Sequence, residues 1–331
     1  MTYNLANNKL VYPKPNIVLS KCLGIAACRY NGHIILNKTV DAIEPYMNYI
    51  AVCPEEEIGL GTPRDPIRLV DRDGSTRLVQ PKTGKDVTDN MISYSQNKIN
   101  EFSNKIDGFI LKDRSPSCGI NNVKVYSEKH GMVVKKTMGL FADKMKQSYP
   151  GIPMENEGRL SNKELREHFL TSVFALARFR AIKVNGLIKK LQLFHAQHKY
   201  LLMGYNQSLM RELGKSAANP NKEKFNIVYD NYYEILLKIF KHVPRKNNMI
   251  NIFLHNMGYF KNELKSSEKA MFLDLLDKYR KGIVTQSTIN HLLRAWIIRY
   301  EEEYLNSQYL FAPFPEELIP LPNSGKSREV N

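Results

Sequence analysis

Three cysteines in this chain stand where chemistry can be done. Cys22 follows the run Ile17-Val-Leu-Ser-Lys, Cys53 follows Ile50-Ala-Val, and Cys118 closes Phe109-Ile-Leu-Lys-Asp-Arg-Ser-Pro-Ser. Each of these runs reads as the start of a strand-to-loop passage. In an open parallel sheet the carboxyl ends of the strands share one edge, and ligands bind in the crevice beside it. Three thiols far apart in sequence can therefore converge. Gly24, Pro54, Pro116 and Gly119 stiffen the three loops. Three thiolates without a fourth suit a cubane-type iron–sulfur cluster with one iron left open, whereas structural zinc takes four ligands. The competing reading is three ordinary buried thiols. Cys28, six residues beyond Cys22, is delivered by no strand and reads as a small buried thiol, with a fourth ligand as the alternative. Four cysteines in 331 residues make no disulfide scaffold, and the absence of C-x2-C leaves zinc ribbons and ferredoxin motifs unsupported.

The elements that would position these thiols alternate short β-branched runs with amphipathic stretches, the pattern of a Rossmann-like α/β domain with a mainly parallel sheet. Strands are expected at Asn16–Leu19, Tyr49–Val52, Leu78–Gln80, Gly108–Leu111 and Val123–Tyr126, and helices within Thr39–Asn48, Val87–Ile106 and Leu140–Ser148. Tyr149–Gly158 carries two prolines and two glycines and reads as a domain junction. Ser161-Asn-Lys-Glu164 has the form of a capping box that opens a helical domain. Apolar stripes at helical spacing follow, among them Leu165, Phe169, Val173 and Leu176, and later Ile289, Leu293, Trp296 and Tyr300, giving an all-α second half of about six helices. The expected layout is a tail over 1–14, an α/β domain over 15–153, a helical domain over 154–322 and a disordered tail over 323–331.

A formal charge of +15, shared by both halves, points to a polyanionic partner such as RNA. No run of apolar residues is long enough to span a bilayer and the start lacks the profile of a signal peptide, so a cytoplasmic protein with no membrane partner is expected. No partner protein is identifiable. His195, His198 and Lys199 lie at i, i+3 and i+4, on one face of a helix. Without a zinc-protease glutamate pattern, this face is expected to serve the core or RNA. His255, Tyr259 and Lys261 extend the same set, offering donors and an aromatic face. Arg178, Arg180, Lys183, Lys189 and Lys190 cluster charge in one stretch.

The segments Ser20-Lys-Cys22-Leu-Gly24, Cys28-Arg-Tyr-Asn-Gly32, Cys53-Pro-Glu55, Gly61-Thr-Pro-Arg64, Gly84-Lys-Asp-Val-Thr88 and Lys112-Asp-Arg-Ser-Pro-Ser-Cys-Gly119 occur in one order. In that order they resemble the thiouracil desulfidase family over about residues 15–150. The resemblance implies a 4Fe-4S cluster held by Cys22, Cys53 and Cys118, with a free iron facing the substrate. The chain departs from the family's usual Ser-Ala-Cys and Arg-Tyr-Asp-Gly at Lys21 and Asn31. The C-terminal half resembles a helical family of unassigned chemistry, through segments such as Phe194-His-Ala-Gln-His-Lys-Tyr200 and His255-Asn-Met-Gly-Tyr-Phe-Lys261. Fusions of this type look like tRNA 4-thiouridine desulfidases, which implies tRNA containing 4-thiouridine as the partner. Replacing sulfur by oxygen needs a proton acceptor for water, a role assigned to Glu55, with Ser115 as a hydrogen-bond donor to substrate or water. Ser117 is expected to bond a cluster sulfur. Arg29, Tyr30, Arg64 and Arg114, in the same loops, are candidates for a nucleotide's phosphate or base. A desulfidase of free thiouracil or 4-thiouridine monophosphate, and a non-catalytic RNA- or metal-binding protein, are the alternatives.

Overall fold

The computed structural model describes residues 10–103, 105–184 and 186–319. The first element, β1 (Asn16–Ser20), is apolar enough to be buried on both faces, and Ile17, Val18 and Leu19 are fully buried. After α1 (Lys38–Ile43), capped by the Asn37 side chain, the chain enters β2 (Asn48–Val52). Next come β3 (Arg68–Arg72), β4 (Ser75–Gln80), the short β5 (Lys85–Asp86) and α2 (Thr88–Phe102). The chain then forms β6 (Gly108–Leu111), β7 (Val123–Ser127), β8 (Val133–Thr137), α3 (Leu140–Ser148) and β9 (Met154–Asn156).

The nine strands among the described residues divide between two sheets. One is wholly parallel, in the order β2-β1-β6-β9, with Ile17 opposite both Tyr49 and Gly108. The other runs β5-β4-β3-β7-β8 and is antiparallel except for the β3–β7 pair. The α/β class expected from the sequence is present, with Leu78–Gln80 and Val123–Tyr126 in the second sheet and not in the parallel one. The stretch Tyr149–Gly158 is more than a junction, since it supplies the edge strand β9. Its Glu155 and Asn156 hide the strand from an apolar-pattern reading.

Helices α4 (Lys163–Lys183), α5 (Ile188–Tyr205), α6 (Gln207–Ala218), α7 (Phe225–Ile239), α8 (Lys246–Met257), α9 (Ser266–Arg280), α10 (Gln286–Arg299) and the short α11 (Glu303–Asn306) make up the remainder. The cap of α4 is Asn162, whose side chain accepts from Leu165 N–H at 3.1 Å. Ser161, expected in that role, turns its hydroxyl to the Gly158 carbonyl. No helix among the described residues is long and apolar enough to cross a membrane.

The chain forms two compact units, one from Lys14 to Ala177 that also takes in the segment from Glu317 on, and one from Arg178 to Glu316 that also takes in the segment ending at Pro13. The division falls inside α4, about six turns of helix, because its first part packs on the parallel sheet. A Cβ on Gly108 would lie 2.8 Å from Val173 Cγ1 and 3.1 Å from Ile17 Cδ1. Of the stretch read as an N-terminal tail, residues 1–9 lie outside the described residues, as does the expected tail 323–331. Val11 and Tyr12 belong to the helical unit. Val11 exchanges backbone bonds with the Tyr309 hydroxyl, and the Tyr12 hydroxyl donates to the Ala312 carbonyl at 2.9 Å. Gly108→Ala should lower stability by about 1–3 kcal/mol by overpacking, seen as a lower urea midpoint; an unchanged midpoint would show that α4 does not rest closely on the sheet.

Candidate functional site

The carboxyl ends of β2, β1 and β6 are neighbours, and the pairing continues one step past them, with Lys21 N–H donating to the Val52 carbonyl at 2.8 Å. The loops that follow therefore leave the sheet side by side. They enclose a cavity of about 360 Å³ whose wall contains Cys22, Cys28, Cys53 and Cys118 together with Glu55, Arg64, Arg114 and Ser115. All four thiols are free; Cys28, Cys53 and Cys118 are buried and Cys22 is half-buried. The three thiols expected from the sequence thus reach one cavity. Cys28 joins them: it is buried, and it also lies at the site. Its chance of doing so was hidden because a non-strand loop brings it there.

The thiols are close enough to bond one another. Hydrogen bonding with Cys22 is the main cause that pushes the Cys28 thiol up to about 11, helped by burial and opposed by Cys53. Hydrogen bonding with Cys28 and burial push Cys53 far up. Burial does the same for Cys118, against the pull of the Ser20 and Ser115 hydroxyls. Donor atoms of Cys28, Cys53 and Glu56 all lie within 4.8 Å of one another. Glu56 is held by Lys21 at 2.9 Å, so the departure at Lys21 places a cation beside the donor set. Soft thiols crowded around one cavity fit a thiolate-bound metal centre, an iron–sulfur cluster included.

Glu55 is the centre of a second group. Arg64 donates to its Oε2 from Nε at 3.1 Å and from a terminal nitrogen at 2.6 Å. Its Oε1 accepts from Ser115 Oγ at 3.2 Å and from Ser117 Oγ at 3.1 Å. The fully buried Ser117 hydroxyl thus has the Glu55 carboxylate as its partner. Ser115 Oγ also accepts from the Ser117 and Cys118 backbone amides, tying Cys118 to the same carboxylate. Arg64 is buried and also donates to the Cys28, Gly61 and Thr62 oxygens, so it is a clamp and not a phosphate ligand. Arg114 is largely exposed at the cavity rim, with Asp113 at 3.4 Å. Arg29 is half-buried, beside the exposed Tyr30 ring at 5.6 Å, and both line the cavity. Asn31, the other departure, bonds His33. Sequence reasoning gave no role to Ser20, whose Oγ accepts from Lys112 N–H at 2.9 Å while bonding the Cys118 thiol; its signals were its place at the end of β1 and at the head of the segment that carries Cys22.

The sequence profile of the 2-thiouracil desulfurase family matches residues 17–157, and that of a family of unknown function, DUF1722, matches residues 199–315. The uncharacterized protein YbbK of Bacillus subtilis is 31% identical over 110 residues, 31% of this chain and 72% of its own. This chain belongs to the 2-thiouracil desulfurase family. The uncharacterized protein YbgA of Escherichia coli is 26% identical over 160 residues, covering 47% of this chain and 93% of its own. A solved 4Fe-4S-dependent thiouracil desulfidase, TudS, is 28% identical over 44% of this chain and 93% of its own, at a TM-score of 0.35. In this member of the 2-thiouracil desulfurase family the matched span contains every residue of the cysteine cavity.

The helical-unit candidates separate into two sets. His198 is fully buried: its Nε2 lies 3.0 Å from Arg178 Nε, its Nδ1 2.8 Å from the Phe194 carbonyl, and its ring stacks on Phe194 and Tyr309. It is a core residue and offers RNA nothing. Arg178, the first of the clustered charges, is buried too, over the Tyr309 ring at 3.8 Å and bonded to the Pro313 carbonyl. His195 is half-buried against the Tyr232 hydroxyl at 3.1 Å, and Lys199 lies over Tyr200. His255, Tyr259 and Lys261 are exposed, although the Tyr259 hydroxyl is 2.8 Å from that of Tyr200.

The buried His198 and the half-buried His195 set a pH dependence. Burial, then Lys199, pushes His195 down to about 4, and burial with Arg178 pushes His198 well below the usual histidine range. The unfolded chain takes up these protons near 6.5 while the folded one does not, so stability falls as pH drops from 7 toward 4. Thermal melts should come several degrees lower at pH 5 than at pH 7, and His195→Gln should flatten that fall; equal slopes in variant and wild type would remove His195 from the account.

Proposed function

We propose that this protein is a desulfidase that converts 4-thiouridine in tRNA to uridine. The observation that carries the reading is the single cavity at the carboxyl edge of the parallel sheet, where four thiols and the clamped Glu55 share a wall in a chain of the 2-thiouracil desulfurase family. Cys22, Cys53 and Cys118, which enter from three separate loops, would hold a 4Fe-4S cluster. When bound, that cluster supplies a soft Lewis acid that prefers a thiocarbonyl sulfur to the carbonyl oxygen of ordinary uracil.

The overall change exchanges C=S and water for C=O and hydrogen sulfide, with no net transfer of electrons. The chain's own residues must take a proton from the attacking water. Glu55 and Asp113 are the carboxylates of the cavity wall, and Glu55 alone bonds the Cys118 loop through Ser115 and Ser117, with its Oε2 committed to Arg64. Oε1 can hold the proton once one serine hydroxyl swings away. Ser115 lines the cavity, and rotation of its O–H alone, with Oγ still accepting from the Ser117 and Cys118 amides, would free Oε1, while Ser117 is sealed in. Arg64 fixes the carboxylate throughout, so the proton arrives at a positioned atom. The net charge of +15 and the additional helical unit support a polyanionic substrate over a free base. A free thiouracil or 4-thiouridine monophosphate is the second reading, favoured by a cavity volume that lies in the range of small-ligand sites.

Anaerobic reconstitution with iron and sulfide, then incubation with 4-thiouridine-containing tRNA and nucleoside analysis, tests the reading. Wild type should produce uridine and Cys118→Ala should not. A fully loaded wild type that leaves tRNA untouched but converts the free nucleotide would establish the second reading instead. Glu55→Gln should reduce single-turnover desulfurisation by about 10²–10⁴-fold with iron content unchanged, and a rate within a few-fold of wild type would assign the proton to another group.

A further inference from the structure

A second concavity, of about 1090 Å³, adjoins the cysteine cavity and shares Ile67, Asp113, Arg114 and Pro116 with it. Its wall carries Arg68, Arg114, Lys124, Lys136 and Arg159 against the one carboxylate of Asp113. Arg159 is paired with Glu155 at 2.6 Å. Arg68, Lys124 and Lys136 are exposed, and no carboxylate lies within ion-pair distance of them among the described residues. These three form a row across the second sheet. Lys124 stands opposite Lys136 in the β7–β8 register, and Arg68 precedes Leu69, which pairs with Val125 in the parallel β3–β7 register.

Like charges directly opposite each other on adjacent strands destabilise a sheet. Three in a row, opening on the same groove, repel one another unless an anion lies over them. Tyr126, two residues beyond Lys124 on β7, also lines the groove and holds its ring 5.1 Å from the Arg68 guanidinium. Cations spaced along a groove with an aromatic ring among them match a nucleic-acid strand, whose phosphates meet the cations while a base meets the ring. Continuity with the cysteine cavity gives the strand a direction, since a base held among the thiols must pass its backbone out past Arg114.

We propose that this groove in the α/β unit holds the RNA strand next to the target nucleotide, with flanking phosphates on Arg68, Lys124 and Lys136. A neighbouring base lies against Tyr126, and Arg114, common to both concavities, takes the phosphate of the target nucleotide. The assignment rests on the reading that the thiolated base enters the cysteine cavity. It makes the α/β unit a holder of RNA in its own right, whatever the helical unit contributes.

The test measures binding without desulfurisation, so a failed groove and a failed reaction give separate results. Full-length protein is titrated into a fluorescein-labelled, uridine-containing single-stranded RNA, and anisotropy is followed at several salt concentrations. Lys124→Glu/Lys136→Glu should weaken binding at least tenfold and make the slope of log affinity against log salt shallower by about 1.4, roughly 0.7 for each lost phosphate contact. Lys124→Arg/Lys136→Arg should bind as wild type does. The single Lys136→Glu, on the edge strand β8, guards against misfolding of the double variant and should show a smaller loss of the same sign. Wild-type affinity and salt slope in both glutamate variants would overturn the assignment.

Discussion

Parallel pairing of β1 on both of its sides is the constraint on which the site depends. It sets the ends of β2, β1 and β6 at a common level, so that loops separated by tens of residues in sequence emerge within bonding distance. The register matters as much as the direction. A slip of one residue would shift β1 by about 3.3 Å and turn each side chain to the opposite face. Ser20 would then lose both the Lys112 amide and the Cys118 thiol that it now links. The fully buried Ile17, Val18 and Leu19, covered on two faces, are what hold that register.

Above the sheet, one carboxylate joins elements that share no backbone pairing. Glu55 comes from the helical turn after β2, Ser115 and Ser117 from the loop after β6, and Arg64 from a segment that also grips the Cys28 carbonyl. The thiols and the proton acceptor are therefore mechanically coupled. Gly139 makes the coupling tight: a Cβ there would lie 2.5 Å from the Ser117 carbonyl oxygen and 2.8 Å from that of Ser115. The start of α3 is thereby pressed against the loop that carries Cys118, which leaves little room for the loop to relax.

Much of this was legible in the sequence because its signals are local. Continuous apolar runs marked β1, β2 and β6, and the cysteines just beyond them located the site. Elements with mixed faces escaped. β3 carries arginine at both ends, β8 is exposed along most of its length, and β9 is largely polar, so the existence of two sheets was hidden. Site residues whose roles depend on distant partners were the least legible. Nothing near Arg64 in sequence announces that it clamps Glu55, and nothing near Ser117 shows its hydroxyl bonded to that carboxylate. In the helical half, spacing placed His195 and His198 on one face but could not tell which way that face points. Aromatic packing by Phe194 and Tyr309 turns His198 inward.

The clasp between Val11–Tyr12 and Tyr309–Ala312 makes the helical unit discontinuous in sequence, with the α/β unit lying between its two parts. On the ribosome, Tyr12 emerges before the first strand of the α/β unit, while the residues it bonds emerge after α11. Structure forms as the chain that makes it becomes available, so the part of the α/β unit that builds the thiol cavity, its strands and helices α1 to α3, can assemble first although the same unit also takes in the segment from Glu317 on. The helical unit must wait for almost the last of its chain. Synthesis thus makes every residue of the cavity available before the clasp of the helical unit can close.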